Sequence, residues 1–326
     1  MTGDPAGNPQ SQSAARPVIV FVLGMPRSGT SAITRVLSLC GCELPTGMMG
    51  AMPENPLGHW EPRAALHLND KILRRNGSGW YDPTLRLQED GVLDAEERAA
   101  CVGDIREFLS TLPSAPLIVL KDPKITVLVD IWFEAARTAG FEAVSVIALR
   151  PPEEVVASIT APGGVSSELA KTLWLKYTLL AERKTRGLPR VFLEYANLLD
   201  DWRREVARVS EALEIDLSEQ DEAEIGNFLR PSLHRQRHIG PVEEPFGTDW
   251  FSVVYETLRG AARDEPLQLD ELDRVYEEYR TSECGFRKSF EDFDRLQKLN
   301  RFMRPSLTKL MYEIRALANR RSGSWA

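Results

Sequence analysis

Four short apolar runs recur along the N-terminal part of the chain, separated by polar turns and by segments with helical spacing. The runs lie at residues 18–23, 116–120, 144–149 and 190–193. Unbroken apolar runs of this length are typical of strands that are buried on both faces of a parallel sheet. Their alternation with helical segments predicts an α/β fold of three layers, in which a mainly parallel sheet is flanked by helices.

The segments between and after these runs carry the spacing of amphipathic helices. Between residues 33 and 40, apolar side chains recur at i, i+3, i+4 and i+7, which predicts a helix after the first strand. Beyond about residue 240 the strand pattern stops while the helical spacing continues. We therefore expect a disordered polar tail at 1–16, an α/β domain at 17–240 and a helical C-terminal subdomain at 241–326.

The turn after the first run, "GMPRSGTS" at 24–31, has the form of a phosphate-binding loop. Gly24 and Gly29 permit tight backbone turns, and the amide groups that open the next helix favour an anion. A loop that binds ATP would read GxxxxGK[ST], with its lysine on the terminal phosphates. Thr30 stands in place of that lysine, and Arg27 supplies a positive charge from inside the loop. The predicted fold is therefore P-loop-like; an ordinary strand-to-helix turn is the alternative.

Two further strand ends carry cations. The third run ends at Arg150 in "LRPPEEVVASI", and Ser158 follows on the predicted helix, so that a cation and a hydroxyl can grip one phosphate. The second run ends in "LKDP" with Lys121, an uncommon place for a charge. A surface ion pair and a helix-capping Lys-Asp pair are the alternatives. Because the carboxyl ends of parallel strands share one edge, Arg27, Lys121 and Arg150 predict a cationic crevice there.

Charge and composition narrow the possible partners. The formal net charge of −8 argues against broad nucleic-acid binding, which needs a basic surface. The sequence lacks the long apolar stretch of a transmembrane helix and the pattern of a signal peptide, so we expect a cytoplasmic protein. No strand ends in a clear magnesium ligand, with Asp122 the nearest candidate, and we expect no metal.

Taken together, these motifs resemble those of the sulfotransferases that use 3′-phosphoadenosine 5′-phosphosulfate (PAPS). "PRSGTS" resembles the 5′-phosphosulfate loop in the arginine form that is usual in the carbohydrate and tyrosyl-protein branches. "RPPEEVVAS" is similar to the 3′-phosphate motif, and "KDP" to the lysine motif of the tyrosyl-protein branch. "NPLGHWEP" and "LEYANLLDDW" resemble segments of bacterial members, so the likeness covers residues 17–240.

The resemblance implies a donor site. The residues that it assigns to the 5′-phosphosulfate are Arg27, Ser28, Gly29, Thr30 and Ser31. Arg150 and Ser158 would bind the 3′-phosphate, and Arg235 would add to that site, with a solvated basic stretch as the alternative. Tyr195 matches an adenine-contacting tyrosine of some members, and a core aromatic role is the alternative.

Sulfuryl transfer requires alignment of the reactants, neutralisation of charge and a general base. Arg27 and Lys121 suit the neutralising role without a metal ion. The stretch "ENPLGHWEPRAALHLND" offers the base: Glu61 matches the related branches best, and His59 is the next candidate. The alternatives are an ion pair of Glu61 with Arg63 or Arg74, and a hydrogen-bonded turn position for His59.

The sequence thus predicts a PAPS-dependent sulfotransferase that transfers a sulfuryl group in line to a hydroxyl of a carbohydrate, a glycolipid or another small metabolite. A P-loop kinase that uses ATP and magnesium is one alternative, which Thr30 at the lysine position disfavours. A non-catalytic nucleotide-binding protein is another. A homodimer through the C-terminal helices is one arrangement that the helical pattern allows.

Overall fold

The structure is a computed structural model, and it describes residues 16–52, 55–161, 165–229, 240–244, 246–302, 310 and 314. Arg235 and nearly all of the predicted tail at 1–16 lie outside the described residues. The chain divides into two compact units, Met1–Tyr276 and Glu277–Ala326. The domain boundary that the sequence predicts at residue 240 stays a prediction.

One parallel sheet forms the centre of the first unit. Within the described residues its strands stand in the order β2-β1-β3-β4 and comprise β1 (Val18–Leu23), β2 (Leu117–Leu120), β3 (Glu142–Leu149) and β4 (Arg190–Glu194). Each strand lies on one of the four predicted runs, with bounds that differ by at most two residues. After β1 the chain builds β2 on one side and β3 on the other, and such a reversal opens a crevice beyond the carboxyl ends of the strands.

Helices surround this sheet and extend to the C-terminal part of the chain. Their bounds are α1 (Thr30–Ser38), α2 (Arg63–Arg75), α3 (Ala95–Leu109), α4 (Val129–Thr138), α5 (Pro152–Thr160), α6 (Ser167–Lys184), α7 (Tyr195–Asp200), α8 (Trp202–Leu213), α9 (Glu222–Phe228), α10 (Trp250–Ala261) and α11 (Leu269–Phe302). Across the described ranges, none of them has both the length and the apolar character needed to span a bilayer.

Alternate residues of β1 pack in opposite directions. Val20 and Val22 belong to a buried core with Ile33 of α1 and Val209 of α8. Phe21 faces the other way and meets the ring of Trp132 in α4, with 6.2 Å between ring centroids. Helices on both faces of a parallel sheet make three layers, which confirms the predicted fold class.

The helix α10, which follows residue 240, packs within the first unit. Phe251 stacks on Trp174 of α6 with 5.8 Å between the ring centroids. The Tyr255 hydroxyl donates a hydrogen bond of 2.5 Å to Glu194, the last residue of β4. The helical pattern predicted for this part of the chain is therefore present in α10 and α11.

Candidate active site

The loop between β1 and α1 follows a backbone path that few residue types adopt readily. Gly24, Arg27 and Gly29 have φ angles of +131°, +73° and +92°, and a non-glycine residue at positive φ is uncommon. The Gly24 N–H donates to Thr126 Oγ1 at 2.9 Å, which anchors the start of the loop. Helix α1 begins at Thr30 without a side-chain cap, so the amide groups of its first turn suit an anion.

Glycine is required at position 29 because the Tyr195 side chain lies close to its Cα, as well as because of its φ angle. A Cβ at this position would lie 2.5 Å from Cδ2 of Tyr195. We expect Gly29→Ala to lower the free energy of unfolding by about 3 kcal/mol, from left-handed backbone strain plus overpacking. Gly140 has φ of +90° and no neighbour within 4 Å of such a Cβ, so Gly140→Ala should cost only about 1 kcal/mol. Urea unfolding measures both, and equal losses would contradict the role given to Tyr195.

Two arginines join this loop to α5 and to the end of β3. Arg27 Nε donates to Ser158 Oγ at 2.9 Å. Arg150 donates from Nη1 to the carbonyl oxygen of Arg27 at 3.0 Å and from Nε to Glu154 Oε2 at 2.8 Å. Its guanidinium stands over the ring of Tyr195, 5.1 Å from the centroid. The hydroxyl that the sequence paired with Arg150 thus contacts Arg27.

The end of β2 holds a buried ion pair. Lys121 Nζ donates to Glu61 Oε1 at 2.5 Å, to Ser31 Oγ at 3.1 Å and to the carbonyl oxygen of His59 at 2.9 Å. Lys121 is 2% exposed and Glu61 9% exposed. Burial of a charge is costly unless the charge is paired and hydrogen-bonded, and these contacts meet that requirement. The ion-pair partner of Glu61 is Lys121, not a neighbouring arginine.

These groups line one cavity of about 220 Å³ at the carboxyl edge of the sheet. The sequence-predicted residues that line it are Arg27, Gly29, Thr30, Ser31, His59, Glu61, Lys121, Arg150, Ser158 and Tyr195. Ser28 is buried, and its N–H donates to the carbonyl oxygen of Met25 at 3.2 Å. Arg235 lies outside the described residues. The tertiary structure therefore brings together five segments that are far apart in the sequence: 27–31, 59–61, 121, 150–158 and 195.

Sequence reasoning missed three residues of this region. Glu154 lies in the first turn of α5, four residues after Arg150, which stands outside the helix. Its sequence signal is "PPEE", whose acidic residues suit the start of a helix. Asn55 lines the cavity and its Nδ2 donates to Ser31 Oγ at 3.4 Å; its only signal is an Asn-Pro turn pair. Phe228, at the end of α9, also lines the cavity and carries no motif. Of the two buried carboxylates that pair with these cations, Glu61 lines the cavity and Glu154 contacts Arg150.

Asp122 belongs to a second buried cluster just below the ion pair. Its Oδ2 accepts a hydrogen bond from Asn69 Nδ2 at 2.8 Å, and its Oδ1 accepts one from the Lys124 N–H at 3.0 Å. The indole N–H of Trp132 donates to Asn69 Oδ1 at 2.8 Å. Burial raises the pKa of Asp122 from 3.8 to about 6, and the charge of Glu61 adds to the rise, while Lys124 and the hydrogen bonds oppose it.

The raised pKa of Asp122 predicts a pH-dependent contribution to stability. The folded protein binds this proton more tightly than the unfolded chain, so the contribution is fully present below pH 3.8 and is lost as the pH rises through about 6. The loss amounts to about 3 kcal/mol. Urea unfolding from pH 4 to 7 should show this decline in the wild-type protein and lack it in Asp122→Asn. A difference between the two that stays constant with pH would contradict the assignment.

Comparisons with known proteins extend this picture. No protein-family profile matches the chain, and no curated protein matches it. Solved structures do match. Sulfotransferases are among them.

Three neighbours illustrate the likeness. The sulfotransferase domain of the Synechococcus PCC 7002 olefin synthase has 19% identity over 83% of this chain and 97% of its own, with a TM-score of 0.38. The sulfotransferase domain of the curacin biosynthetic pathway has 14% identity over 80% and 97%, with a TM-score of 0.39. Sulfotransferase STF9 from Mycobacterium avium has 17% identity over 82% and 76%, with a TM-score of 0.41. Overlaps at these values leave the function to be inferred from the site itself.

Proposed function

We propose that the protein is a sulfotransferase that transfers a sulfuryl group from PAPS to a hydroxyl of a carbohydrate, a glycolipid or another small metabolite. One observation carries the proposal: Arg27, Lys121, Arg150 and Glu61 line a single cavity beyond the carboxyl ends of the strands. Three cations suit a donor with two phosphate positions, and a carboxylate in the same cavity suits a proton acceptor.

The donor-binding roles follow from the chemistry of these groups. The amide groups at the start of α1, with Arg27 beside them, would hold the 5′-phosphosulfate. Arg150 would bind the 3′-phosphate, because a guanidinium makes strong hydrogen bonds to phosphate oxygens. The hydrogen bond from Arg150 Nε to Glu154 fixes the plane of that guanidinium. Tyr195 lines the same cavity and offers an apolar ring.

The transfer step needs a base and charge neutralisation. The acceptor oxygen forms a bond to sulfur while the bond from sulfur to the 5′-phosphate oxygen breaks, and that oxygen keeps the electron pair. Glu61 takes the hydroxyl proton, with His59 the second candidate in the same cavity. Lys121 and Arg27 neutralise charge on the sulfuryl and leaving phosphate oxygens. Arg27 stays protonated at any working pH, so its role is electrostatic.

The geometry around Asp122 weakens the kinase alternative. In a P-loop kinase, an acidic residue at a strand end helps to bind magnesium. Both carboxylate oxygens of Asp122 already accept hydrogen bonds, from Asn69 and from the Lys124 N–H. Magnesium would have to displace partners of a carboxylate that is 1% exposed. Together with Thr30 at the lysine position of the loop, this favours a donor other than ATP with magnesium.

Calorimetric titration tests the donor class. The purified protein is titrated with 3′-phosphoadenosine 5′-phosphate (PAP), and separately with ATP and magnesium. We expect tight binding of PAP in the presence of a chelator and much weaker binding of ATP. A preference for ATP with magnesium would overturn the proposal in favour of a kinase.

A second measurement separates an enzyme from a binding protein. The protein is incubated with PAPS and a panel of sugars, phenols and long-chain alcohols, and release of PAP is followed. We expect turnover with at least one acceptor and loss of turnover in Glu61→Gln. Tight PAP binding by the wild-type protein without PAP release from PAPS with any acceptor would support the non-catalytic alternative. Equal turnover by wild type and Glu61→Gln would instead assign the base role to His59.

Exposed apolar side chains support the proposed acceptor class and a homodimer. Leu57 lines the cavity and is 39% exposed, and Met52 nearby is equally exposed, which supports an acceptor with an apolar part. In the second unit, Phe293 and Leu296 are each 59% exposed, which supports a homodimer through α11. We retain the cytoplasm as the proposed location.

A further inference from the structure

The two members of the central ion pair come from separate segments. Glu61 lies immediately before α2, with Pro62 at the start of that helix. Lys121 follows β2 and leads into a 3₁₀ helix over Pro123–Leu128. The two residues are 60 positions apart in the sequence. Their contact therefore depends on how α2 is held against the turn after β2.

A second link joins the same two segments. Asn69 lies on α2, two turns after Glu61, and its Nδ2 donates to Asp122 Oδ2 at 2.8 Å. Asp122 is the residue that follows Lys121. The indole N–H of Trp132 fixes the orientation of the Asn69 amide by donating to its Oδ1. Asn69, Asp122 and Trp132 are at most 1% exposed, so water does not compete for these hydrogen bonds.

A third link between the segments is more exposed. Lys124 Nζ lies 3.0 Å from Asp70 Oδ1 and 3.3 Å from the carbonyl oxygen of Leu66, both on α2. The side chain of Asp70 is 39% exposed, and exposed ion pairs contribute little to stability. The buried link through Asn69 is thus the stronger constraint, and the Lys124–Asp70 pair provides a matched control.

We propose that the Asn69–Asp122 hydrogen bond is a clamp that positions Glu61 against Lys121. In this role Asn69 and Asp122 are positioning residues and contact no substrate. The inference rests on the proposed function for its effect on catalysis, but the coupling between clamp and ion pair is a property of the fold alone. It can be measured without a donor or an acceptor.

The direction of the hydrogen bonds dictates which residues can form the clamp. Trp132 can only donate, so residue 69 must present an acceptor to it. The other atom of Asn69 is then a donor, and residue 122 must accept it. Asp122 must also accept from the Lys124 N–H, so an Asn at 122 leaves two donors facing each other wherever its amide is turned.

A charge swap keeps every hydrogen bond and moves the charge. In the double variant Asn69→Asp/Asp122→Asn, the new carboxylate accepts from Trp132 and from the amide at 122, whose oxygen accepts from the Lys124 N–H. Either single substitution breaks this series of hydrogen bonds. Asp122→Asn places two N–H donors against each other, and Asn69→Asp places two carboxylates against each other. The swap therefore distinguishes clamp geometry from the mere presence of Asp122.

The first test is a double-mutant cycle on unfolding. In the wild-type background Glu61→Gln should lower the folding equilibrium constant by about 10²-fold, because it leaves the Lys121 charge buried without its carboxylate. In the Asp122→Asn background we expect the same substitution to lower the folding equilibrium constant by less than about 10-fold, because the ion pair is already displaced. In the swap background the full effect of Glu61→Gln on the folding equilibrium constant should return. In the control background Asp70→Asn, the effect of Glu61→Gln should equal that in the wild-type protein.

Additivity would overturn the inference. If Glu61→Gln has the same effect in the wild-type, Asp122→Asn and swap backgrounds, the two links are independent and the clamp does not position the pair. Failure of the swap to restore the coupling, while it restores stability, would overturn it as well. If Asp122→Asn does not fold, Trp132→Phe replaces it in the cycle. This substitution removes the hydrogen bond from Trp132 to Asn69, and the coupling between Glu61→Gln and the clamp should then be reduced.

The second test is catalytic and keeps the two proposals apart. PAP release from PAPS with the acceptor panel should have kcat lowered about 10²-fold in Asp122→Asn and recovered in the swap, while the affinity for PAP stays within about threefold. A lowered PAP affinity with unchanged kcat would contradict the clamp. Absence of PAP binding by the wild-type protein would refute the proposed function and leave the result of the unfolding cycle intact.

Discussion

Lys121→Met is expected to lower kcat for sulfuryl transfer by about 10²–10³-fold, the effect of removing one positioned charge from a water-poor site. Lys121 is 2% exposed and donates to both Glu61 and Ser31 at the mouth of the phosphate-binding loop. Methionine matches the unbranched lysine side chain as far as Cε and removes the ammonium. PAP lacks the sulfuryl group, so its affinity should change far less than kcat. PAP release from PAPS and titration with PAP give the two quantities.

The substitution also leaves Glu61 as a buried carboxylate without its ammonium partner. Removal of one member of a buried pair destabilises a protein by about 3–5 kcal/mol, so lost activity in the single variant can reflect lost folding. The double variant Lys121→Met/Glu61→Gln removes both charges and should recover most of the stability but none of the activity. Lys71→Met, which removes an exposed pair with Asp104, should change neither. Near-normal kcat in a folded Lys121→Met protein would refute the catalytic role.

Arg150→Ala is expected to raise the dissociation constant for PAP by about 10²–10³-fold. A hydrogen bond to a charged group contributes about 1.5–3 kcal/mol, and a guanidinium can supply two of them to a phosphate. Arg150 is 7% exposed, and Glu154 fixes its orientation. If the group that it binds is the 3′-phosphate, the affinity for 5′-AMP, which lacks that phosphate, should hardly change. Titration with the two nucleotides makes the comparison.

A control is needed because Arg150→Ala removes the Arg150 hydrogen bond from the Glu154 carboxylate, which is 4% exposed. Arg150→Met/Glu154→Gln removes both charges of the pair and should fold, yet bind PAP as weakly as the single variant. Arg203→Met, which breaks an exposed pair with Glu222, should bind PAP normally. Equal losses for PAP and 5′-AMP would instead place Arg150 at the 5′ end of the donor or give it a purely structural role.

The strands and the edge that carries the site could be predicted from sequence. The run from Val18 to Leu23 is apolar throughout because β1 is a middle strand with helices on both faces. Once the runs are assigned as parallel strands, their carboxyl ends must share an edge. The sequence alone therefore places Arg27, Lys121 and Arg150 in one crevice.

The partners of these cations were not predictable in the same way. Glu154 is close to Arg150 in sequence, and an acidic residue suits the first turn of α5, but its contact with an arginine that precedes the helix follows from no local pattern. Ser158 accepts a hydrogen bond from Arg27, 131 positions away, a contact that no motif indicated. Arg150 and Ser158 line the same cavity, and their joint binding of the 3′-phosphate stays a prediction. Such choices depend on side-chain directions at the ends of different elements, which local patterns do not contain.

The sequence by itself determined the parallel sheet, the phosphate-binding form of the loop and the edge at which its cations gather, because each follows from local periodicity and residue chemistry. The tertiary structure alone decided that Lys121 pairs with Glu61 and that Asn69 and Trp132 hold Asp122. The physical reason is that a buried charge or amide must find its partner wherever packing brings one. Packing of α2 against the turn after β2 joins segments that are about 60 residues apart.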